Sequence, residues 1–208
     1  MTGFRLDKGG LIERRQKINF RFNGQQVTGF KGDTIASALM ASGHMLVGRS
    51  FKYHRPRGIM SAGVEEGGAL FNTGDGAARV PNVKGTVTEI SEGLRVYSQN
   101  VFPSPGFDLG AVNGLIAPFI TAGFYYKTFM GPFANTKFWM LCERFIRRAA
   151  GLGQASREAD PSTYDIANGF CDALVIGSGP AGLTAAAGLA EKGLNLSLIH
   201  ISEPTRRA

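Results

Sequence analysis

The sequence predicts an α+β domain followed by the opening of an α/β domain, on three observations. Near the start, two alternating apolar segments flank Asn23–Gly24 and lead directly into a helical pattern. In the middle, a proline- and aromatic-rich stretch breaks this regularity. Near the end, a short apolar run meets a glycine-rich turn and an alanine-rich helix. With 208 residues, 43% of them hydrophobic, the chain can bury a core.

Residues 1–15 read as an irregular arm. Ile18, Phe20 and Phe22 alternate with polar residues, as in a half-buried strand. Asn23–Gly24 is a preferred type I′ hairpin turn, and Gln25 to Phe30 returns as the second strand. Asp33 or Thr34 can cap a helix over 35–41, whose apolar face is Ile35, Ala38 and Leu39 and whose αL stop is Gly43. Strand, tight turn, strand and helix open a β-grasp, ferredoxin-like domain, placed at 16–100. Further short strands are expected over 51–57, 69–72, 83–90 and 94–98. Residues 101–169 form a connector rich in aromatics, including Phe119, Phe124, Tyr125, Tyr126, Phe129, Phe133, Phe138, Trp139 and Phe145. Within it a helix is expected over about 136–150, from Phe138, Leu141, Phe145 and Arg148. The aromatics suit a packing arm, or an interface for a subunit or a flavin.

The formal charge of +7 is scattered, with no basic run interleaved with aromatics, which argues against a nucleic-acid partner. Cys142 and Cys171 have no metal-ligand spacing and read as reduced thiols. No metal site is expected. The polar amino terminus lacks a secretory h-region, and the apolar stretch 111–124 is too broken to span a bilayer. A cytoplasmic protein is the expectation.

Residues 170–195 carry the chemistry. Ala173 to Ile176 reads as a strand buried on both faces of a parallel sheet. Gly177-Ser178-Gly179-Pro180-Ala181-Gly182 then matches G-x-G-x-x-G, and an alanine-rich helix follows to Lys192. Gly177 permits the tight turn, Gly179 lets the backbone approach a pyrophosphate, and Gly182 lets the helix pack closely. Strand and helix in this order predict the first βα unit of a Rossmann-type FAD/NAD(P)-binding domain. Pro180–Ala181 makes FAD a rival to NAD. The acidic residue that should end a second strand is missing: Glu203 has the distance but lies in Ser-Glu-Pro-Thr-Arg-Arg. Residues 196–208 resemble the in-frame translation of a transposase-type sequencing adapter and are expected to be non-native. His200 and Glu203 therefore receive no role.

Other candidates have plain readings. His44 is expected at the surface. His54, Arg55 and Arg57 suit structural hydrogen bonding, or a partner or carboxylate. Glu65 and Glu66 face opposite ways in extended chain and make a poor catalytic pair.

Three stretches carry a family resemblance: Gly48-Arg-Ser-Phe-Lys-Tyr-His-Arg-Pro-Arg-Gly-Ile-Met-Ser-Ala-Gly-Val-Glu-Glu66, Tyr125-Tyr-Lys-Thr-Phe-Met130 and the Gly177 fingerprint. Over about residues 10–195 the chain resembles α subunits of heterotetrameric sarcosine oxidase. The resemblance implies NAD at the fingerprint, FAD in a β subunit and FMN between the two. It also implies γ and δ partners, and oxidation of sarcosine to glycine with oxygen and tetrahydrofolate; it locates no catalytic residue. Another amine or amino-acid dehydrogenase subunit is the alternative, as is a non-catalytic assembly subunit. Iron–sulfur relatives carry C-x₄-C-x₂-C after an Arg-Gly pair. After Arg57–Gly58 that spacing falls on Ser61, Glu66 and Ala69, so no [2Fe–2S] cluster is expected.

Overall fold

The Asn23–Gly24 turn sets the register of the first sheet. Both residues have positive φ, 47° and 84°, as a type I′ turn requires. It joins β1 (Glu13–Phe22) to β2 (Gln25–Lys31), with Phe22 opposite Gln25 and Phe20 opposite Val27. Phe20, Phe22 and Val27 are buried while Arg21 and Gln26 are exposed. The computed structural model describes residues 4–115, 117–118, 137–160, 163 and 168–199. They fall in two compact units, Met1–Asp160 and Pro161–Ala208.

In the first unit α1 (Ile35–Ala41) follows the hairpin. Thr34 is its N-cap: Thr34 Oγ1 accepts the Ser37 N–H at 3.2 Å, and Ser37 Oγ accepts the Thr34 N–H at 2.9 Å. Gly43, at φ 83°, ends it in the left-handed conformation as expected. The N–H groups of Gly43 and His44 donate to Met40 and Leu39, closing a Schellman cap. His44 is half-buried rather than a surface residue, because its ring meets Phe22 edge-on at 5.6 Å.

Two short strands, β3 (Gly48–Arg49) and β4 (Pro56–Arg57), form a separate antiparallel pair. β5 (Leu70–Thr73), β6 (Val80–Lys84) and β7 (Arg95–Ser98) complete the main sheet, in the order β2-β1-β7-β5-β6. β1 and β7 are parallel, and the other neighbours antiparallel. Ile35, Ala38 and Leu39 of α1 join Phe20, Phe71, Val47 and Val96 in the core.

The expected strands at 51–57 and 83–90 are shorter than their composition suggests. His54, at φ 51°, makes 50–55 a turn, closed by the Ser50 N–H donating to the Arg55 carbonyl. Residues 85–90 leave the sheet to close the start of α1. The Gly85 and Thr88 carbonyls accept from Ala36 and Ile35 at 2.8 and 2.9 Å. Gly85 also lies where a Cβ would strike the Phe71 ring.

Asp33 is 1% exposed and fully bonded. Arg5 grips it with Nη1 at 3.1 Å and Nη2 at 2.6 Å, the Phe30 N–H donates at 2.8 Å, and Ser37 Oγ donates at 2.8 Å. Burial pushes the carboxyl pKa up; Arg5, the Phe30 N–H and Ser37 together outweigh it and hold it below the usual range. The arm is thus fastened, with Arg5 also over the Phe30 ring at 5.0 Å.

The unit continues through residues 101–118 to α2 (Lys137–Ala149), within a residue of its expected limits, and Gly151 follows at φ 71°. Phe119, Phe124, Tyr125, Tyr126, Phe129 and Phe133 lie outside the described residues. So do the side chains of Phe138, Trp139, Phe145 and Arg148, and with them the test of the aromatic connector. No helix among the described residues is long and apolar enough to cross a membrane.

The second unit is β8 (Ala173–Ile176), α3 (Pro180–Ala190) and β9 (Leu196–Ile199). β8 and β9 are parallel, with Ala173 opposite Leu196 and Ile176 opposite Ile199. Residues 196–199 of the segment expected to be non-native stand as β9 beside β8. Residues 200–208 lie outside the described residues.

Asp33→Asn leaves Arg5 facing a neutral partner and is expected to destabilise the protein by about 3 kcal/mol, read by denaturant unfolding. A depressed carboxyl pKa adds stability above its unfolded value of about 4, lost as pH falls through the folded value. Stability of the unaltered chain should therefore drop on acidification below that value, and less steeply in the variant.

Candidate functional site

The glycine turn is built from the end of β8 and the start of α3. Gly177 has φ 103°, where L side chains are strained, and its N–H donates to the Ile199 carbonyl at 2.7 Å. Gly179 is the N-cap, extended at φ −72° and ψ 176°, with Pro180 in the first turn of α3. Proline suits that position because its missing N–H would have no intrahelical acceptor. The first helical bond runs from the Leu183 N–H to the Gly179 carbonyl at 2.9 Å. Ala181 and Gly182 thus hold N–H groups in the turn that an α-helix leaves without internal acceptors.

The three glycines differ in what they permit. A Cβ on Gly182 would collide with the Gly177 carbonyl, with Val175 Cγ1 behind it at 3.5 Å. The close approach is therefore helix to turn first, and helix to strand second. A Cβ on Gly179 would meet nothing within 4 Å, so its outer side is open. Thr184, unremarked in the sequence, returns its Oγ1 to the Pro180 carbonyl at 2.8 Å.

β8 is not buried on both faces as expected. Leu174 and Ile176 are 52% and 63% exposed, because one helix and one neighbouring strand cover only the alternate positions Ala173 and Val175. Glu203 lies outside the described residues, as does His200.

In the first unit, Glu65 is exposed and Glu66 is buried. Glu66 accepts N–H groups from Met60 at 2.6 Å, Ser61 at 2.7 Å and Gly68 at 2.5 Å. Burial raises its pKa, and those N–H groups with the Ser61 hydroxyl bring it below the usual range. A cavity of about 670 Å³ adjoins this loop, lined in part by Arg57, Met60, Glu66, Gly68 and Leu152. His54 does find a carboxylate, with Nδ1 at 2.6 Å from buried Asp108, while Arg55 covers the Tyr53 ring. Asp33, Glu66 and Asp108 gave no sequence signal as buried acceptors, beyond Asp33 preceding a cap. Among the described residues, no group of three or more His, Cys, Asp or Glu is placed to hold a metal ion.

Comparison with known proteins extends this geometry. Residues 15–101 match a family described as 2Fe-2S iron-sulfur cluster binding domain, and residues 172–208 match one described as FAD binding domain. Sarcosine oxidase subunit alpha of Rhizobium meliloti (strain 1021) is 52% identical over 200 residues, covering 96% of this chain and 20% of that protein. The subunit of the same name from Corynebacterium sp. (strain U-96) is 31% identical over 191 residues, covering 92% of this chain and 15% of that protein. The crystal structure of L-proline dehydrogenase from P. horikoshii matches with a TM-score of 0.41 at 16% identity, covering 89% of this chain and 25% of that one. The chain thus spans 15–20% of the curated relatives' length, and the resemblance to sarcosine oxidase alpha subunits, which are oxidoreductase subunits, stands.

The expectation of no iron–sulfur cluster is overturned by the family match over residues 15–101. The exclusion rested on one assumed ligand spacing, whereas the matched span is the whole sheet with its loops. At the positions that spacing selects, Ser61 and Ala69 offer no thiolate and the Glu66 carboxylate is engaged by backbone N–H groups. Cys142 and Cys171 lie outside the matched span. These residues do not fit as cluster ligands, and no step is assigned through a cluster.

Glu66→Ala is expected to cost about 2–3 kcal/mol by stranding the Met60, Ser61 and Gly68 donors, seen as a lowered Tm. In the 208-residue chain, limited proteolysis should cut within 173–194 well before 18–90, where the core lies; equal protection would contradict this.

Proposed function

We infer that the chain is the amino-terminal part of a sarcosine oxidase-type alpha subunit, with a ferredoxin-like β-grasp domain ahead of a Rossmann-type dinucleotide domain. The carrying observation is the turn itself: a strand delivers a positive-φ glycine to a helix whose Gly182 has no room for a Cβ. That arrangement suits a diphosphate. The N–H groups of Ala181 and Gly182 and the positive end of α3 favour an anion, and the open side of Gly179 leaves bare main chain for it.

The FAD-binding match over residues 172–208 supports a flavin dinucleotide at Gly177, Ser178, Gly179, Pro180, Ala181 and Gly182, in preference to NAD. When bound, a flavin supplies a two-electron acceptor. This chain's share is binding and orientation: Gly177 holds the turn, Gly179 admits the phosphates, and Gly182 fixes where the helix begins. Sarcosine as substrate, glycine as product, β, γ and δ companion subunits and a cytoplasmic setting are proposed from the 52% identity to the Rhizobium meliloti subunit.

The full-length alpha subunit, separated from its companions and denatured, is expected to release a flavin dinucleotide, and the assembled protein to form peroxide when given sarcosine. Gly182→Val should lower nucleotide content at least about tenfold by pushing the helix off the turn. A full-length protein that releases no dinucleotide, or a Gly182→Val variant with full occupancy, defeats this reading.

A further inference from the structure

Three Asn–Gly pairs occur in the chain: Asn23–Gly24, Asn113–Gly114 and Asn168–Gly169. Such a pair carries a covalent reaction of its own. The main-chain nitrogen of the glycine, once deprotonated, can attack the asparagine Cγ, and the missing Cβ leaves that approach open. The attack needs an asparagine side chain free to turn and a main chain free of turn or helix geometry. The two reacting residues are the same in all three pairs, so the fold decides between them.

Asn23 is held on every side. Its φ of 47° belongs to the type I′ turn. Its Oδ1 accepts the Ser98 N–H at 2.9 Å, its Nδ2 donates to Ser98 Oγ at 3.0 Å, and its own N–H donates to the Val96 carbonyl at 2.9 Å. Asn113 is half-buried in a 3₁₀ helix over Leu109–Gly114, and its Nδ2 donates to the Lys52 carbonyl at 3.4 Å. The Leu115 N–H closes that helix by donating to the Val112 carbonyl at 2.9 Å, on either side of the pair. Asn168 is exposed and lies outside helix and strand. Among the described residues neither Asn168 nor Gly169 has a hydrogen-bond partner, and a Cβ on Gly169 would meet nothing within 4 Å.

We propose that Asn168 is a site of spontaneous deamidation in this chain, and that the fold protects Asn23 and Asn113 from the same reaction. Hydroxide takes the Gly169 N–H proton and the nitrogen bonds to Asn168 Cγ. The Cγ–Nδ2 bond then breaks, and ammonia leaves with a proton drawn from water, which regenerates hydroxide. Water opens the cyclic imide at Cγ to give aspartate, or at the main-chain carbonyl to give isoaspartate. Water is the only other reactant consumed. The second unit begins directly beyond the pair: Asn195 donates from Nδ2 to the Phe170 carbonyl at 3.3 Å and from its N–H to Asp172 Oδ2 at 2.9 Å. Aged chains therefore gain a negative charge just ahead of β8 and, in the isoaspartyl form, an extra main-chain methylene.

The test incubates the 208-residue chain in warm, mildly alkaline buffer and follows the peptides spanning each pair by mass spectrometry, with aspartyl and isoaspartyl forms separated by chromatography. Asn168 is expected to convert at least about tenfold faster than Asn23 or Asn113, and faster still as pH rises. In guanidinium chloride the three rates should come within about twofold of one another, because the protection is lost with the fold. Gly169→Val should slow conversion at position 168 at least about tenfold in both conditions, since the added Cβ blocks the attacking nitrogen. Conversion of Asn168 no faster than that of either other asparagine in the native chain would overturn the proposal. So would an equal preference for Asn168 in the denatured chain, which would assign the difference to flanking sequence.

Discussion

The buried carboxylate of Asp33 is the contact on which the first unit depends. It sits where β2 becomes α1 and ties the arm, the strand and the helix together at one point. Its acceptor sites take Arg5 from the arm, the Phe30 N–H from the strand and Ser37 from the helix. The Asp33 carbonyl accepts from Ile90 at 3.0 Å, so the returning segment 85–90 is held at the same point. A charge hidden from water is tolerated only when it is paired and fully hydrogen-bonded. Its presence therefore fixes the arm, the hairpin and the helix in one arrangement. The apolar core under α1 then has a single way to pack.

Legibility in the sequence followed the range of the interactions. The hairpin, α1 and α2 were readable because local chemistry decides them: Asn23–Gly24 selects a turn, Thr34 a cap and Gly43 a stop. The glycine fingerprint was readable for the same reason, since the space beside Gly182 is closed by Gly177 and Val175, five and seven residues back. What the sequence hid was long-range. Residues 85–90 have strand composition, yet their carbonyls are required at the start of α1. The Glu66 and Asp108 carboxylates look like ordinary surface acids until the loops around them close. The assumed spacing of cluster ligands misled because it judged a domain by three positions, when the family it matches is defined along 15–101.

The second unit shows how far a nucleotide site is a property of backbone rather than side chains. No charged residue lies between Gly177 and Gly182. The attraction for an anion comes from main-chain dipoles at the head of α3, and selectivity of shape from the absence of Cβ atoms. Leu174 and Ile176 remain exposed beside it, apolar surface of the kind that further layers of an α/β sheet cover.

The start of α1 has a bearing on how the polypeptide acquires its shape during synthesis. Its first two N–H groups look to Thr88 and Gly85 for acceptors, on a stretch that leaves the ribosome much later. Until that stretch emerges, the nascent hairpin and helix lack the partners that close them, and their greasy faces are open to chance encounters. A pause in translation after residues 85–98 have emerged would be harmless, whereas one before then would leave a sticky intermediate in the care of chaperones.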